Sequence, residues 1–269
     1  MPLPYRKVLI TGASSGIGLA LTERLIASNI FVIAVARRHA RLTTLLTHHG
    51  PSKLAIEPLD ISDLQALPAF TSRLLAAHPD LDCIILNAGL QRTLDFTSPS
   101  SSSPESLASV TEEMTTNYLS PLHTSLLFLP HLRARAASGL PAALILVSSG
   151  LALVPIPRCP NYCASKAALH SLAWQIRSQL ADDAGPGSPV RVIEIIPPAV
   201  QTELHTVQGL PQMGMPLDEF LQETWDALEE GKEDEIIVGQ AKGFAHVDVP
   251  RKEAYENLRQ VMKSSGNNA

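Results

Sequence analysis

Short apolar runs alternate along this chain with longer segments whose apolar residues have helical spacing. The runs lie at residues 8–10, 31–35, 54–56, 83–86, 144–147, 190–196 and 236–238. Because most of these runs are apolar almost without interruption, they are typical of strands in a parallel sheet buried on both faces. Right-handed crossovers then place helices on each side of that sheet. The pattern predicts an α/β fold, a doubly wound parallel sheet with helices on both faces.

The segments between the runs contain five predicted helices, over residues 17–28, 61–77, 104–132, 162–181 and 217–229. Residues 97–104 are mostly serine and are expected to form a mobile surface loop. Residues 240–269 are predicted to be a polar, amphipathic C-terminal tail with a frayed tip. The chain has 269 residues, of which 45% are hydrophobic, and this favours one domain spanning residues 1–269.

Charge and cysteine content limit the classes of partner. The formal net charge is −5 and the charged residues are interspersed, so there is no basic stripe for a nucleic acid or an anionic membrane surface. No apolar run has membrane-spanning length, and the first strand begins too early for a secretory signal. These features predict a cytoplasmic protein that binds a small molecule. The three cysteines and nine histidines lack metal-ligand spacing, so no metal is expected, and the cysteines are interpreted as apolar packing residues.

A glycine-rich turn follows the first predicted strand. Residues 11–18 read Thr-Gly-Ala-Ser-Ser-Gly-Ile-Gly and precede a predicted helix. Glycines at such a turn allow the backbone to approach a pyrophosphate, whose charge then faces the positive end of the helix. The residues predicted to form this dinucleotide site are Gly12, Ser14, Ser15, Gly16, Ile17 and Gly18. Because the spacing differs from Gly-x-Gly-x-x-Gly, a purely structural turn is the alternative interpretation.

The same octapeptide resembles the cofactor turn of the short-chain dehydrogenase/reductase family, and further motifs follow in the family's order. Asp60-Ile61 follows the third predicted strand, where the family holds the adenine ring. Asn87-Ala88-Gly89 ends the fourth strand and is similar to a stabilising segment of the family. Each motif alone is also typical of an ordinary strand-end turn. The resemblance covers residues 7–202 and implies a Rossmann-like fold, a nicotinamide cofactor and oxidoreductase activity.

The residues after the second predicted strand bear on the choice of cofactor. A carboxylate at this strand end would repel the 2′-phosphate of NADP. Ala36 stands there instead and is followed by Arg37 and Arg38. A guanidinium pairs with a phosphate through charge-assisted hydrogen bonds. Arg37, helped by Arg38, therefore favours NADP(H), with NAD(H) left open. The alternative interpretation of both arginines is a pair of solvated charges at the start of a helix.

Ser149, Tyr162 and Lys166 form the candidate reacting centre. Tyr162 and Lys166 are four residues apart at the start of a predicted helix, so they project from one face of it. A neighbouring ammonium stabilises a phenolate, so Lys166, together with the positive nicotinamide of the oxidised complex, is expected to lower the pKa of Tyr162 toward neutrality. Tyr162 is then the predicted acid/base for a carbonyl or alcohol oxygen, and Ser149 is expected to hydrogen-bond that oxygen. A Tyr-x-x-x-Lys pair by itself is also common on exposed helices.

The resemblance implies further roles around this centre. It indicates that Lys166 also holds the nicotinamide ribose and that Asn117 anchors a water in a proton relay from Lys166. It favours Ser149 over Ser148, which is expected to face the sheet. After the sixth strand the chain is similar to the family's Pro-Gly-x-Val-x-Thr segment, which holds the nicotinamide carboxamide. The matching residues are Pro197, Val200 and Thr202.

Pro198 occupies the position in this segment where glycine is usual. Proline fixes φ and has no backbone N–H, so the backbone contacts of the segment are expected to differ here. The Pro197-Pro198 pair also resembles a DltE-like subset of the family. This departure puts the local path of the loop in question.

The sequence does not identify the substrate. Residues 203–234 are expected to form a lid over a moderately hydrophobic carbonyl or alcohol compound. The resemblance implies a homodimer or homotetramer that pairs through the helices predicted at 104–132 and 162–181. A catalytically silent dinucleotide-binding sensor is the alternative function, which an intact reacting centre opposes. A third class is an isomerase or dehydratase that uses the nicotinamide transiently.

Overall fold

The computed structural model of the protein describes residues 2–183 and 190–265. Within these ranges seven strands form one sheet of order β3-β2-β1-β4-β5-β6-β7. The strands are β1 (Lys7–Thr11), β2 (Phe31–Ala36), β3 (Leu54–Pro58), β4 (Cys83–Leu86), β5 (Ala143–Val147), β6 (Arg191–Ile196) and β7 (Glu235–Ile237). All neighbouring strands are parallel, as the uninterrupted apolar runs predicted.

Helices cover both faces of the sheet. They are α1 (Gly16–Ala27), α2 (His39–His49), α3 (Leu67–Ala77), α4 (Pro104–Met114), α5 (Ser120–Ala137), α6 (Pro160–Asp182), α7 (Glu203–Thr206), α8 (Leu217–Glu230) and α9 (Val249–Ser264). Successive strand residues pack into opposite core clusters: Val8 and Ile10 into one, Leu9 into the other. Helices α1, α2 and α8 complete the first cluster, and α3, α5 and α6 the second. The predicted doubly wound architecture is therefore confirmed.

No described helix combines the length and the apolar character that crossing a bilayer would require. The longest described helix is α6, and its buried face includes polar residues such as Ser165, Lys166 and His170. These side chains contact other parts of the protein. The buried polar side chains of α6 are therefore packed against the rest of the protein.

Two helices differ from the sequence prediction at their starts. Helix α2 was not predicted, because only Leu42 and Leu45 of its eleven residues are buried and so narrow an apolar stripe gives little periodic signal. Helix α3 begins at Leu67, whereas a helix was predicted from residue 61. The intervening backbone forms turns in which the carboxylates of Asp60 and Asp63 accept hydrogen bonds from nearby backbone N–H groups. Such side-chain bonds compete with helix formation.

The single helix predicted over 104–132 is two helices, α4 and α5, joined by a π-helical turn at Thr115–Leu119. Pro121 explains the break, since it lacks the N–H that would bond to the Asn117 carbonyl in a regular α-helix. The serine-rich segment 97–104 is likewise more ordered than predicted. It contains a 3₁₀ turn at Pro99–Ser102, and the Ser103 hydroxyl then caps α4 by accepting a hydrogen bond from the Ser106 N–H at 3.2 Å.

The predicted C-terminal tail is mostly folded. A 3₁₀ segment at Gly239–Val247 leads into α9, and the apolar residues 258, 261 and 262 of that helix are exposed. Residues 266–269, where fraying was predicted, lie outside the described residues. Helix α8 falls within the predicted lid, but Phe220 and Trp225 are buried in the core, so α8 covers the sheet and not a cleft.

Candidate active site

A cavity of about 580 Å³ opens at the carboxyl ends of the strands. In doubly wound sheets this edge is where ligands bind, at the point where the strand order reverses, here between β1 and β4. The sequence-predicted residues that line the cavity are Gly12, Ser14, Ser15, Gly16, Ile17, Arg37, Arg38, Asp60, Ile61, Asn87, Ala88, Gly89, Ser149, Tyr162, Lys166, Pro197, Val200 and Thr202. The fold thus brings the glycine-rich turn and the reacting centre into one space.

The glycine-rich turn has a shape that needs glycine at specific positions. Gly12 has φ +72°, and a Cβ there would lie 2.9 Å from the Cα of Ala88. Gly18 does not line the cavity, because it faces the turn itself: a Cβ there would lie 2.3 Å from the Gly12 carbonyl oxygen. Helix α1 therefore begins directly against the turn. The open cradle, the two serine hydroxyls and the helix N-terminus fit a pyrophosphate.

The segment at residues 87–89 is clamped to the end of β1. The side-chain amide of Asn87 donates to the Thr11 carbonyl oxygen at 3.0 Å. The backbone N–H groups of Asn87 and Ala88 both donate to the Thr11 hydroxyl, at 3.1 and 3.2 Å. These bonds hold the carboxyl ends of β1 and β4 together. They therefore fix the distance between the two cavity walls that flank the point where the strand order reverses.

Arg38, more than Arg37, faces the glycine-rich turn. The guanidinium of Arg38 donates to the hydroxyls of Ser14 and Ser15 and to the Glu203 carboxylate, the last at 3.1 Å. Arg37 points toward two carboxylates, with Nη1 3.7 Å from Asp60 and 3.4 Å from Glu112. The sequence prediction placed Arg37 first, whereas in the structure it is Arg38 that contacts the two serine hydroxyls of the turn.

The structure adds Arg41 and Glu203 to this corner of the cavity. Arg41 Nη1 donates to both oxygens of Glu203, at 2.7 and 2.9 Å. The two residues are 162 positions apart in the chain, and Arg41 lies on α2, the helix that sequence patterns missed. Arg38 and Arg41 are three residues apart, a spacing that places two side chains on one face of a helix. A prediction of α2 would therefore have brought the two arginines together.

Asp60 holds a turn at the same end of the cavity. Its carboxylate accepts hydrogen bonds from the backbone N–H and the hydroxyl of Ser62, at 2.9 and 2.7 Å. Burial acts to raise the pKa of Asp60, but the Ser62 hydrogen bonds and the positive charge of Arg37 outweigh it, and the pKa is lowered. Asp60 is therefore an anion at neutral pH, and Ile61 beside it gives the cavity an apolar wall.

The reacting centre is buried at the other end of the cavity. Tyr162 and Lys166 lie on the first turns of α6, and Lys166 Nζ is 5.8 Å from the centre of the Tyr162 ring. Lys166 Nζ donates to the Val147 carbonyl oxygen at 2.8 Å, at the end of β5. Ser149 hydrogen-bonds with Tyr162, and its hydroxyl also accepts from the Leu151 N–H at 3.1 Å. A phenol, a hydroxyl and an amine thus share one buried corner.

The protonation of this centre differs from the sequence prediction. Burial raises the pKa of Tyr162, and the hydrogen bond with Ser149 only partly opposes this effect. The predicted depression of this pKa also relied on the positive charge of an oxidised nicotinamide, so it stays a prediction for the complex with that cofactor. Burial also lowers the pKa of Lys166 to about 8, although the negative charge of Glu194 acts in the opposite direction. Near pH 7 the phenol is protonated and Lys166 is mostly an ammonium.

Comparison with known proteins places this arrangement in a family. The sequence profile of the family described as short chain dehydrogenase matches residues 6–210. The chain belongs to the short-chain dehydrogenase family. This finding confirms the resemblance drawn from the glycine-rich turn and from the motifs that follow it.

Several known proteins are similar to this chain over most of its length. The uncharacterized oxidoreductase DltE of Bacillus subtilis is 35% identical over 271 residues, which cover 99% of this chain and 100% of DltE. Benzil reductase ((S)-benzoin forming) of Saccharomyces cerevisiae is 32% identical over 200 residues, 74% of this chain and 73% of the yeast protein. A crystal structure of a short-chain dehydrogenase from Burkholderia cenocepacia in complex with NADP has a TM-score of 0.75 and 27% identity, covering 96% of this chain and 98% of that chain.

Asn117 lies behind the short-chain dehydrogenase cavity and does not line it. It is fully buried within the π-helical turn, a type of distortion that is frequent at functional sites. Its side chain accepts a hydrogen bond from the Leu90 N–H and donates to the Leu90 carbonyl, both at 2.8 Å, and also donates to the Ser165 hydroxyl at 3.0 Å. These three bonds hold the loop after β4 against α6.

Ser148 also differs from its prediction. It was expected to face the sheet, but it lines the cavity, and its buried hydroxyl has no hydrogen-bond partner among the described residues. Thr116 shows the same combination of a cavity position and a buried, unpartnered hydroxyl within the described chain. Because buried polar atoms are nearly always hydrogen-bonded, these orphaned groups are consistent with a polar ligand in the cavity.

The loop after β6 follows the cavity wall despite its proline pair. The Pro197 carbonyl accepts a hydrogen bond from the Gly150 N–H at 2.8 Å, which ties this loop to the segment carrying Ser149. Pro198 also lines the cavity. Thr202 caps α7 by accepting from the Leu204 N–H at 3.3 Å and lies against Gly16 of the glycine-rich turn.

Part of the cavity wall comes from segments to which no site was assigned from sequence. Gln91 and Arg158 come from the loops after β4 and before α6, and Phe244 comes from the segment predicted to be a tail. The available signal for Arg158 was its position between Ser149 and Tyr162. Phe244 had no local signal, because only long-range folding brings the C-terminal segment to this edge.

A buried charged cluster lies behind Lys166 and was also missed. His170 Nδ1 is 2.9 Å from each carboxylate oxygen of Glu194, and its Nε2 is 2.7 Å from Asp248 Oδ2. No carboxylate lies near His170 along the chain. Glu194, flanked by apolar residues of β6, was the signal that could have indicated a buried partner.

Proposed function

We propose that this protein is an NADP(H)-dependent oxidoreductase that transfers hydride between the nicotinamide and a carbonyl or secondary alcohol, with Tyr162 as the general acid/base. The observation that carries this proposal is the shared cavity: the phosphate-binding turn lines one end, and Ser149, Tyr162 and Lys166 line the other. Family membership supports the same chemistry. The catalytically silent sensor is less well supported, because a sensor needs no buried acid/base group.

Each side chain of the reacting centre has a defined task in carbonyl reduction. The nicotinamide, when bound, supplies the hydride to the carbonyl carbon. Tyr162 donates its phenolic proton to the carbonyl oxygen as negative charge develops there, and Ser149 hydrogen-bonds that same oxygen. The raised pKa of Tyr162 keeps the phenol protonated near pH 7, which suits the reductive direction. In alcohol oxidation the deprotonated phenol oxygen of Tyr162 would take the proton of the alcohol hydroxyl.

Lys166 supports this chemistry through its charge. Its Nζ is buried beside the Tyr162 ring and is held by the Val147 carbonyl. An ammonium there stabilises negative charge on the phenol oxygen as the proton leaves. The residues of the proposed proton path also include Asn117, which positions the loop after β4 against α6.

The preference for NADP(H) is proposed to come from Arg38. Its guanidinium lies on the hydroxyls of Ser14 and Ser15, which together form a site for a 2′-phosphate. The Burkholderia cenocepacia relative was crystallised with NADP, which supports this choice. NAD(H) lacks that phosphate and is expected to bind more weakly.

The proposed substrate is a small carbonyl compound with an apolar body. Leu204, Val207 and Met213 line the cavity on the side of α7, and Phe244 lines it from the C-terminal segment. We propose that residues 203–216 form the cover over this substrate, within a chain that folds as one domain. The similarity to a benzil reductase agrees with an apolar ketone substrate.

The test is a screen of ketones, benzil among them, for oxidation of NADPH followed by its absorbance. Wild-type protein is expected to consume NADPH, and Tyr162→Phe is expected to lower kcat/KM by roughly 10²–10⁴-fold. NADPH binding, measured by fluorescence titration, is expected to persist in the variant. Equal turnover by both proteins would contradict the role of Tyr162. NADPH binding by wild type with no turnover of any carbonyl would favour the sensor.

A further inference from the structure

Arg158, on the substrate side of the cavity, is a cation with no ion-pair partner among the described residues. Arg158 lies in the turn before α6, four residues before Tyr162, and its side chain lines the cavity. Its backbone carbonyl accepts a hydrogen bond from the Leu94 N–H at 3.2 Å, so the turn is tied to the neighbouring loop. The Nη1 atom of Arg158 is buried and has no hydrogen-bond partner among the described residues.

The carboxylates that line the cavity within the described ranges are Asp60 and Glu203, and both are already engaged. Asp60 faces Arg37, while Glu203 is held by Arg38 and Arg41. Both pairs lie at the cofactor end of the cavity. The charge on half-buried Arg158 is therefore not balanced by a carboxylate in the described lining, and its buried Nη1 atom lacks the partner that a buried polar group normally has.

His205 gives this wall a second unpartnered group. It comes from α7, is buried, and its Nδ1 has no hydrogen-bond partner in the described chain. Burial, and then the positive charge of Arg158, lower the pKa of His205. The imidazole is therefore neutral near pH 7, and it adds a hydrogen-bonding group beside the guanidinium without cancelling its charge.

We propose that Arg158 binds a carboxylate on the substrate, so that the natural substrates are oxo acids or hydroxy acids with an apolar body. The proposal rests on the proposed function and names its substrate class. A guanidinium presents parallel N–H groups that match a carboxylate in a bidentate pair. One guanidinium balances one negative charge, and the rest of the wall is apolar through Ile156, Met213 and Phe244. A singly charged organic acid fits this combination better than a doubly charged phosphate ester does.

The test compares an acid with its uncharged ester on the same carbon skeleton. Benzoylpropionate and its methyl ester, and benzoylformate and its methyl ester, are offered with NADPH, and kcat/KM is measured for each. Wild-type protein is expected to prefer at least one acid over its ester by about tenfold or more, as a charged hydrogen-bonded pair would produce. Arg158→Gln is expected to reduce that acid-to-ester ratio about tenfold.

Two further variants control for charge and for folding. Arg158→Lys keeps the positive charge without the planar fork and is expected to retain part of the preference for the acid. Arg6→Gln removes an exposed guanidinium beside the start of β1, at the opposite edge of the sheet, and is expected to leave the ratio unchanged. If Arg158→Gln does not fold, the acid-to-ester ratios of kcat/KM in the wild-type protein still test the proposal. Ratios at or below one for both acid–ester pairs would overturn it.

The outcomes separate this proposal from the proposed function. Turnover of esters and acids with equal kcat/KM would overturn the carboxylate site while leaving the oxidoreductase activity intact. If neither compound is turned over, calorimetry of phenylbutyrate and phenylbutyramide on the NADPH-saturated protein replaces the kinetic measurement. Tighter binding of the carboxylate in wild type, lost in Arg158→Gln, supports the site, and equal binding of the two compounds overturns it.

Discussion

Arg38 connects the glycine-rich turn to Glu203, far along the chain. Its guanidinium contacts Ser14 and Ser15 in the turn and the carboxylate of Glu203 at the start of α7. Glu203 also pairs with Arg41, so two cations share one carboxylate and a positive charge is left over at this corner. A 2′-phosphate would bring negative charge to the same corner. We therefore propose that a few side chains determine the choice of cofactor.

The first prediction concerns this choice. Arg38→Gln is expected to lower kcat/KM for NADPH by roughly 10–100-fold, because hydrogen bonds to a charged phosphate are lost. The value for NADH is expected to change much less, since NADH lacks the phosphate. Steady-state kinetics with both cofactors on one carbonyl substrate measure the effect.

Arg37→Gln serves as the matched control for this prediction. Arg37 faces the carboxylates of Asp60 and Glu112, so its loss is expected to affect the NADPH preference less than the loss of Arg38. A larger effect at Arg37 would show that the assignment of the phosphate site to Arg38 is wrong.

The second prediction concerns the stability effect of the buried Lys166, which is 3% exposed. Burial lowers its pKa to about 8 from the ordinary lysine value of 10.5. The unfolded chain therefore binds more protons between these two values, and this lysine makes the free energy of unfolding rise with pH across that window. Lys166→Met is expected to increase the free energy of unfolding at pH 7 by about 1–3 kcal/mol. The loss of the hydrogen bond to the Val147 carbonyl reduces this gain.

Urea unfolding of wild type and Lys166→Met at pH 7 and pH 9.5 measures this effect. The difference between the two proteins is expected to shrink at the higher pH, where the wild-type lysine is neutral in the folded state. A variant less stable than wild type at pH 7 would contradict the prediction. Activity is expected to fall in the same variant, so stability and catalysis would change in opposite directions.

At the scale of elements, His170 joins helix α6 to β6 and to the start of α9. Its two ring nitrogens face Glu194 of β6 and Asp248, the residue before α9. Trp174, one turn along α6, packs edge-on against the His170 ring and donates its indole N–H to Glu235 of β7. Lys252 of α9 also pairs with Glu235. Helix α9 is thus attached to helix α6 by ion pairs as well as by the contact between the Trp174 and Tyr255 rings.

The third prediction is that His170→Gln destabilises the protein by about 3 kcal/mol at pH 7, because a buried carboxylate loses its charged partner. Adding Glu194→Gln is expected to recover part of this loss, so the two effects are not additive. Denaturant unfolding of both single variants and the double variant gives the interaction energy. Strictly additive effects would show that the His170–Glu194 contact contributes nothing.

The pH dependence of stability offers a separate check on this pair. Burial acts to lower the pKa of His170, but the hydrogen bond and charge of Glu194, then Asp248, raise it above its ordinary value. The stabilisation is complete below the unfolded pKa of about 6.5 and is lost as pH rises through the higher folded pKa. The double variant is expected to lack this decline, and an identical pH profile in both proteins would refute it.

At the scale of the whole molecule, the sheet divides the apolar core into two clusters, and the open cavity lies at one edge between them. The side helices α3, α5 and α6 cover one face, and residues of α4 and α5 remain exposed beside them. Leu107 is 58% exposed and Leu126 is 63% exposed. These exposed apolar side chains are the candidate contacts of the homo-oligomer that the family resemblance implies.

The fourth prediction is that the 28.9 kDa chain forms a homodimer or homotetramer through this surface. Leu126→Glu is expected to shift the mass measured by light scattering toward the monomer, because a buried unpaired charge opposes association. Leu258→Glu is the matched control, since Leu258 is 61% exposed on α9, away from α5. A monomeric wild type, or equal effects of the two variants, would contradict the prediction.

The features recovered from sequence are those encoded by neighbouring residues. The uninterrupted apolar strands, the glycine-rich turn and the Tyr162–Lys166 spacing each depend on a few consecutive positions, and the fold places them as predicted. Helix α2 escaped recognition because its apolar face is only two residues wide. The break between α4 and α5 was missed although Pro121, in the interior of the predicted helix, is a residue type that interrupts helices.

Local patterns were sufficient for the family, for the sheet and for the choice of candidate reacting side chains that meet in one cavity, because period, glycine geometry and helical spacing act over a few residues. Long-range contacts were needed for the protonation of Tyr162, for the pairing of Arg41 with Glu203 and for the cluster around His170. Burial and electrostatic pairing depend on which distant segments meet. A pKa is therefore a property of the assembled interior, and no motif in the chain specifies it.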